Sequence, residues 1–406
     1  MRSPAPTGAS LGKSEKKAVQ ISCIQENLAR GLGIVGRAVA TRSTLPVLSN
    51  VLLETDQGRL KLAATNLEIG ITCWVGAMIE NEGNITVPGR LLNDLVSSLA
   101  PDKVISLQTK GANLHLTCPG YDANLRGIAA EEIPVIPQVA GNASCAVAPK
   151  ELQEALGQVG FAAASDDTRP VLAGVQFSFR GNSLTLSAAD GFRLALRNLE
   201  IVRPLGEDLD IIVPARAVQE LARILGDQEE PVEILITSNR SQILFHLNTV
   251  DLVSRLIEGA FPNVQQIIPT RYVTRVIVST KDFQNANKIA SLIARDANNI
   301  VRLVVNSATT DGSADHASEG PTGQVSVGAV ADIGDTHSTL DAVIEGEGSQ
   351  LTIAFNGKYL GDVLGAINTA QVSLELNSPS SPGVLRPVGG SSYTHVIMPM
   401  HLTRSG

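Results

Sequence analysis

Aromatic residues make up only 3% of this chain, so aliphatic contacts must carry its folding, and stacking platforms for single-stranded nucleic acid are not expected. Cysteine is also scarce. Cys23, Cys73, Cys118 and Cys145 stand singly, without C-x-x-C spacing or a histidine placed as a fellow ligand, and read as reduced, mostly buried thiols rather than metal ligands or disulfides. No apolar run approaches the ~18 residues needed to span a bilayer, and no signal-peptide segment opens the chain, so a cytoplasmic location is expected. Catalytic constellations are missing as well. His115, His246, His316, His337, His395 and His401 are scattered, and no G-x-S-x-G, H-E-x-x-H or phosphate-binding glycine loop occurs. Asp166-Asp167 reads as a turn after a helix rather than a pair of catalytic carboxylates, and Ala189 to Leu194 offers no nucleophile, only a tight turn whose Gly191 permits positive φ. No enzyme activity, cofactor or metal is expected. A net charge of −8 argues against gripping nucleic acid by bulk charge, yet leaves room for a local basic surface.

What the chain does contain is repetition. At a constant offset of 124 residues, Pro46, Val47, Leu48 and Val51 fall on Pro170, Val171, Leu172 and Val175, and Leu60 and Leu62 on Leu184 and Leu186. The block Ile85 to Val96 returns at an offset of 126 as Ile211 to Ala222. It returns faintly at 268, where Gly89, Arg90, Leu92 and Asp94 meet Gly357, Lys358, Leu360 and Asp362. Three copies of one domain are implied, at a period far too long for a solenoid. The expected divisions are an N-terminal extension (1–17), domains at 18–138, 139–267 and 268–402, and a short tail (403–406). The extension is rich in Ser, Pro, Gly and Lys and is expected to be disordered; it reads as a passive tail or as a basic arm. The Gly/Ser/Asp/Thr-rich segment 307–323 is expected to be an exposed loop.

Each copy reads β-α-β-β-β-α-β-β-β, an α+β unit with two helices on a mostly antiparallel sheet. Helical spacing covers Gln25 to Val39, Gly89 to Leu99, Lys150 to Ala164, Ala215 to Leu225, Lys281 to Arg295 and Gly357 to Ile367. Ile133 to Pro137 and Phe261 to Pro269 read as extended linkers. On helical wheels, Arg30 and Arg37, Arg216 and Arg223, and Lys281, Lys288 and Arg295 recur seven apart, opposite the apolar faces. Those seven cations face only Glu26, Glu220 and Asp282 on the same helices. The plain reading is a solvated helix face; the repeated spacing and sign favour a phosphate-contacting surface that reads no bases. The end of the chain is unusual too, since Val396-Ile397-Met398-Pro399-Met400 is more apolar than most termini.

Taken in order, Thr44-Leu45-Pro46-Val47-Leu48-Ser49-Asn50, Asp190-Gly191-Phe192-Arg193-Leu194, Phe261-Pro262 and Val396-Ile397-Met398-Pro399-Met400 resemble the bacterial DNA polymerase III beta subunit, the sliding clamp. The resemblance runs from about Val19 to Leu402. It implies three copies of one α+β domain in a head-to-tail dimeric ring, with helices lining the hole, around double-stranded DNA bound without sequence preference. It implies tethering of the replicative DNA polymerase, and Arg42 as a further DNA-contacting residue. It also implies a groove for short peptide motifs of the polymerase, the clamp loader and repair proteins. That groove would use Leu172, Gly191, Phe192, Arg193, Leu194, Pro262, Gln266, Ile267, Pro379, Ser381, Val396, Met398, Pro399 and Met400, with Arg193 helping to orient the peptide; ordinary core contact is the alternative for Leu172 and the methionines. The sequence departs from the family pattern at Ala189, Phe192, Gln266 and His401. A repetitive α+β interaction scaffold that does not encircle DNA is the competing function.

Overall fold

The computed structural model describes residues 19–136, 143–166, 168–226, 228–307, 322–346, 350–390 and 392–401. The expected N-terminal extension, residues 308–321 of the expected loop, and the tail lie outside the described residues. The chain divides into two compact units. One holds the first repeat together with Asn248–Val253, and the other holds the second and third repeats.

Repeat one runs β1 (Gln20–Ile24), α1 (Gln25–Val35), β2 (Asn50–Asp56), β3 (Arg59–Thr65), β4 (Ile69–Val75), β5 (Met78–Asn81), β6 (Asn84–Pro88), α2 (Gly89–Ser97), β7 (Val104–Lys110), β8 (Asn113–Cys118) and β9 (Tyr121–Arg126). Repeat two runs β10 (Ala143–Val147), α3 (Pro149–Val159), β11 (Gly174–Arg180), β12 (Ser183–Ala189), β13 (Arg193–Glu200), β14 (Leu209–Pro214), α4 (Ala215–Leu225), β15 (Val232–Ile236), β16 (Gln242–His246) and β17 (Val250–Arg255). Repeat three runs β18 (Thr274–Ser279), α5 (Thr280–Ala294), β19 (Ile300–Ser307), β20 (Thr322–Ala331), β21 (Gly334–Gly346), β22 (Gln350–Asn356), α6 (Gly357–Ala366), β23 (Gln371–Leu376), β24 (Gly383–Pro387) and β25 (Tyr393–Ile397).

The two-helix α+β repeat is therefore present three times, but the strand count differs from the sequence reading. Among the described residues, five strands separate the helices of repeat one and four those of repeats two and three, where three were expected. The extra strand of repeat one, β5, pairs with β1; in repeat two the bridge between Ala146 and Arg203 stands in its place, and in repeat three the one long strand β21 makes both kinds of pairing, with β20 and with β18. Two helices are also shorter than their periodicity suggested. Gln25–Val35 and Pro149–Val159 each tighten at Gly36 and Gly160 into a 3-10 turn, Gly36–Ala38 and Gly160–Ala162. The Phe261–Pro269 linker likewise contains a 3-10 turn, Val264–Ile267, anchored by buried Val264.

Local chemistry explains the element ends. Asn356 Oδ1 accepts the amide hydrogens of Lys358 (3.0 Å) and Tyr359 (3.4 Å), capping α6. Ser279 Oγ caps α5 through the Asp282 amide. The hairpin between β2 and β3 turns on Gln57 (φ 47°) and Gly58 (φ 77°), the paired positive values of a tight two-residue connection. Within repeat one, α1 lays Leu28, Leu32 and Val35 on β3 and β4, each fully buried side chain contributing roughly 2 kcal/mol of transfer free energy. Gly31 lets the helix come that close: a Cβ there would meet Val75 Cγ2 at 2.6 Å. All four cysteines are buried, and burial pushes the thiols of Cys23 and Cys145 up to about 12 and that of Cys73 to about 11, far from reactive thiolates.

Candidate functional site

Six of the seven stripe cations lie on an α-helix or at its cap, and all six are exposed. Arg30 sits on α1, Arg216 and Arg223 on α4, Lys281 and Lys288 on α5, and Arg295 is the C-cap of α5. On α4 the opposite face, Ala217, Val218, Leu221 and Leu225, is buried, so the cations point outward as the spacing required. Arg37 departs from this pattern. It stands in the 3-10 turn after α1 and is only partly exposed, because the tighter rise rotates it off the α1 wheel. Arg42 is exposed in the segment before the Pro46–Ser49 turn. Arg223 pairs with Glu220 at 3.0 Å, an exposed i,i+3 pair worth little.

The candidate groove is built on a strand pair that joins repeats two and three. β13 and β25 run antiparallel with Leu194 opposite Val396 and Arg193 opposite Ile397, and the ladder continues where the Met398 amide donates to Phe192 O at 2.8 Å. Beneath it, Ala189, Leu194, Val264, Val384 and Val396 form one buried cluster, flanked by Phe261 and Ile268. Around this floor lie side chains left open: Phe192 is 61% exposed, Ile267 48% and Met398 40%, while Pro262, Gln266 and Pro379 are exposed and Ser381, Pro399 and Met400 half-buried. Leu172 is buried in the Pro170–Ala173 turn, so it contributes support rather than open surface. Gly191 takes φ 94°, as the turn pattern required, and a Cβ there would stand 2.8 Å from Arg169 Nη1.

Arg193 does not fit the expectation that it orients a bound peptide. Its side chain is 8% exposed and each nitrogen already has a partner. Nε donates to Asp190 Oδ2 (3.0 Å), Nη1 to Asp362 Oδ2 (2.7 Å) and Nη2 to Phe161 O (2.6 Å), and the guanidinium lies 4.4 Å from the Tyr359 ring centre and 5.3 Å from that of Phe161. Next to it, fully buried His395 stacks on Phe161 with centroids 5.6 Å apart and shares a hydrogen bond with Tyr393 Oη at 3.1 Å. Burial, reinforced by the Arg193 charge, pushes the imidazole down to about 3, so it is neutral at physiological pH. Burial first, and then the Asp190 carboxylate, raises the Tyr359 phenol.

Among the described residues no cluster of three or more His, Cys, Asp or Glu could hold a metal, and no helix is long and apolar enough to cross a membrane. What decides the family is the match of all three repeats: residues 19–137 match the N-terminal domain of the DNA polymerase III beta subunit, 146–263 its central domain and 265–401 its C-terminal domain. The chain belongs to the bacterial DNA polymerase III beta subunit family. It is 34% identical to a beta sliding clamp of Synechocystis sp., the match covering 95% of this chain and all of that one. It is 31% identical to a beta sliding clamp of Staphylococcus aureus over 90% of this chain and 94% of the relative. The DNA polymerase sliding clamp of Bacillus subtilis superposes with a TM-score of 0.84 at 26% identity, covering 95% of this chain and 100% of that one. The clamp is thus a non-catalytic replication protein, in keeping with the missing catalytic motifs.

Four residues beside the candidate groove escaped the sequence reading: Phe161, Arg169, Tyr359 and Asp362. Arg169 Nη2 donates to Asp190 O at 2.9 Å, holding the turn from the side opposite Arg193. Asp362 did surface as a repeat match to Asp94, but nothing in the repeat pattern tied it to Arg193.

Proposed function

We propose that the clamp closes as a head-to-tail homodimer around double-stranded DNA, binds it without sequence preference, and tethers the replicative DNA polymerase, the clamp loader and repair proteins through short peptide motifs, in the cytoplasm. One observation carries the ring. Within the second unit, β13, the third strand of repeat two, receives β25, the last strand of repeat three. The equivalent strand of repeat three is β21, whose 334–342 stretch pairs only with β20 among the described residues. The last strand of repeat one, β9, pairs only with β8 among the described residues. One chain therefore carries two unlike open edges that would complete each other in a second copy, and two such contacts related by a two-fold axis close a ring. Beside the β21 edge, α5 exposes Ile289 (50%) and Leu292 (56%), and Ile289 lines a cavity of about 440 Å³ with Asp282, Asn285, Ser338, Thr339 and Leu340, a mixed polar and apolar face suited to burial by a partner.

The cations Arg30, Arg37, Arg42, Arg216, Arg223, Lys281, Lys288 and Arg295 would contact phosphate only, and topological closure would spare the clamp from needing tight binding. The groove of exposed Phe192, Ile267 and Met398 over an apolar floor suits a peptide with a glutamine and two large apolar side chains. Retention on nicked-circular against linearised DNA, measured with the solution mass, tests the reading. A dimer kept on the circle and lost from free ends is expected; a monomer, or equal retention on both, would overturn it and favour a scaffold.

A further inference from the structure

We infer that Arg193 is a positioning residue, a lock between repeats two and three that sets the shape of the groove through Asp362 without touching the bound peptide; the inference rests on the groove reading above. The turn that carries Arg193 does not need it. At the offset of 124 residues, Asn66, Leu67, Glu68 and Ile69 occupy the same positions as Asp190, Gly191, Phe192 and Arg193. In repeat one, Asn66 Oδ1 accepts the amides of Glu68 (3.0 Å) and Ile69 (2.8 Å) with Leu67 at φ 77°. In repeat two, Asp190 Oδ1 accepts those of Phe192 (2.9 Å) and Arg193 (3.0 Å) with Gly191 at φ 94°. The two turns have one construction, and the first holds with isoleucine where the second has arginine.

What the arginine adds is therefore not the turn but its attachment. From the turn its guanidinium reaches Asp362 on α6 of repeat three and the Phe161 carbonyl after α3 of repeat two, with the Tyr359 and Phe161 rings against it. A planar, five-donor cation suits this task, since three acceptors in different directions fix both its place and its rotation. The groove wall depends on the attachment directly. Phe192 precedes Arg193, and its carbonyl receives the Met398 amide, the bond that holds the C-terminal run beside the turn. Releasing α6 from the turn frees Phe192 and Met398 to separate, widening the site where a peptide would be held.

The test uses the full-length dimer, with a fluorescein-labelled synthetic peptide bearing one glutamine and two large apolar residues as probe, and hydrogen exchange at the Met398 amide as a second readout. Asp362→Ala is expected to weaken the peptide by ~10-fold or more and to speed Met398 exchange, the loss of one charged hydrogen bond acting at a distance. Asp362→Glu should recover most of both. Arg193→Ala should do at least the damage of Asp362→Ala, and the double variant no more than Arg193→Ala, because Asp362 acts through the arginine. Arg193→Lys, which keeps the charge but not the fork, should remain impaired. Unchanged affinity and exchange in Asp362→Ala, with loss confined to Arg193→Ala, would make Arg193 a direct ligand and overturn the inference. If the wild-type dimer does not bind the probe, the groove reading fails, and Met398 exchange across the same variants still decides whether the lock exists.

Discussion

His395 should make the clamp acid-sensitive in a way that a single substitution removes. Its imidazole is fully buried against Phe161, bonded to Tyr393 and close to the Arg193 charge, and its folded-state pKa lies near 3 against 6.5 when free. Below pH 6.5 the unfolded chain binds a proton there that the folded chain refuses. Stability from this group is therefore complete above about pH 6.5 and falls as the pH drops toward 3. The slope is about 1.4 kcal/mol per pH unit, so by pH 4.5 the group alone costs roughly 2.7 kcal/mol, an upper value since local opening can hydrate the ring first. His395→Gln keeps a hydrogen-bond partner for Tyr393 Oη and cannot titrate. Urea midpoints of the second unit between pH 7 and 4.5 should fall less steeply in the variant, by that amount at the acid end. Because His395 precedes Val396 in the strand that floors the groove, peptide affinity should hold longer in acid as well. Parallel pH profiles in wild type and variant would refute the reasoning, since they would mean that His395 titrates normally and is not sealed.

Leu67→Gly should raise the stability of the first unit by about 1 kcal/mol, because Leu67 sits at φ 77° with its side chain 44% exposed, where a Cβ is strained and little burial is lost; a lower urea midpoint would count against it. Ile289→Asp with Leu292→Asp should turn the dimer into folded monomer in sedimentation equilibrium, and an unchanged mass would place the interface elsewhere. Arg216→Ala, Lys281→Ala and Lys288→Ala together should weaken DNA binding alike for all sequences and shrink the log-log salt slope by about 0.9 for each phosphate left without its cation; a changed base preference would refute the assignment.

Local pattern fixed much of this molecule. The repeat offsets disclosed three copies of one α+β unit, periodicity placed α4 at Ala215–Leu225 to the residue, and the Asp190-Gly191 pair required the positive φ that Gly191 adopts. These features depend on neighbours within a turn or two, or on copies of one pattern, and both are visible in a string of residues. The wheel failed first at Arg37, because the chain tightens from Gly36 onward into a 3-10 turn, which rotates the residues beyond it off the α1 face. Arg193 and His395 were beyond such reading altogether. Arg193 read as a groove ligand only through the family resemblance of the Asp190 to Leu194 turn, whereas the acceptor that claims it, Asp362, lies 169 residues away. His395 read as one of six scattered histidines, and it became a buried neutral base only because β25 is enclosed between β13 and β24. Composition and periodicity set which residues can form a helix or a strand; which charge finds a partner, and which titratable ring loses water, is set by segments that only the folded chain brings together.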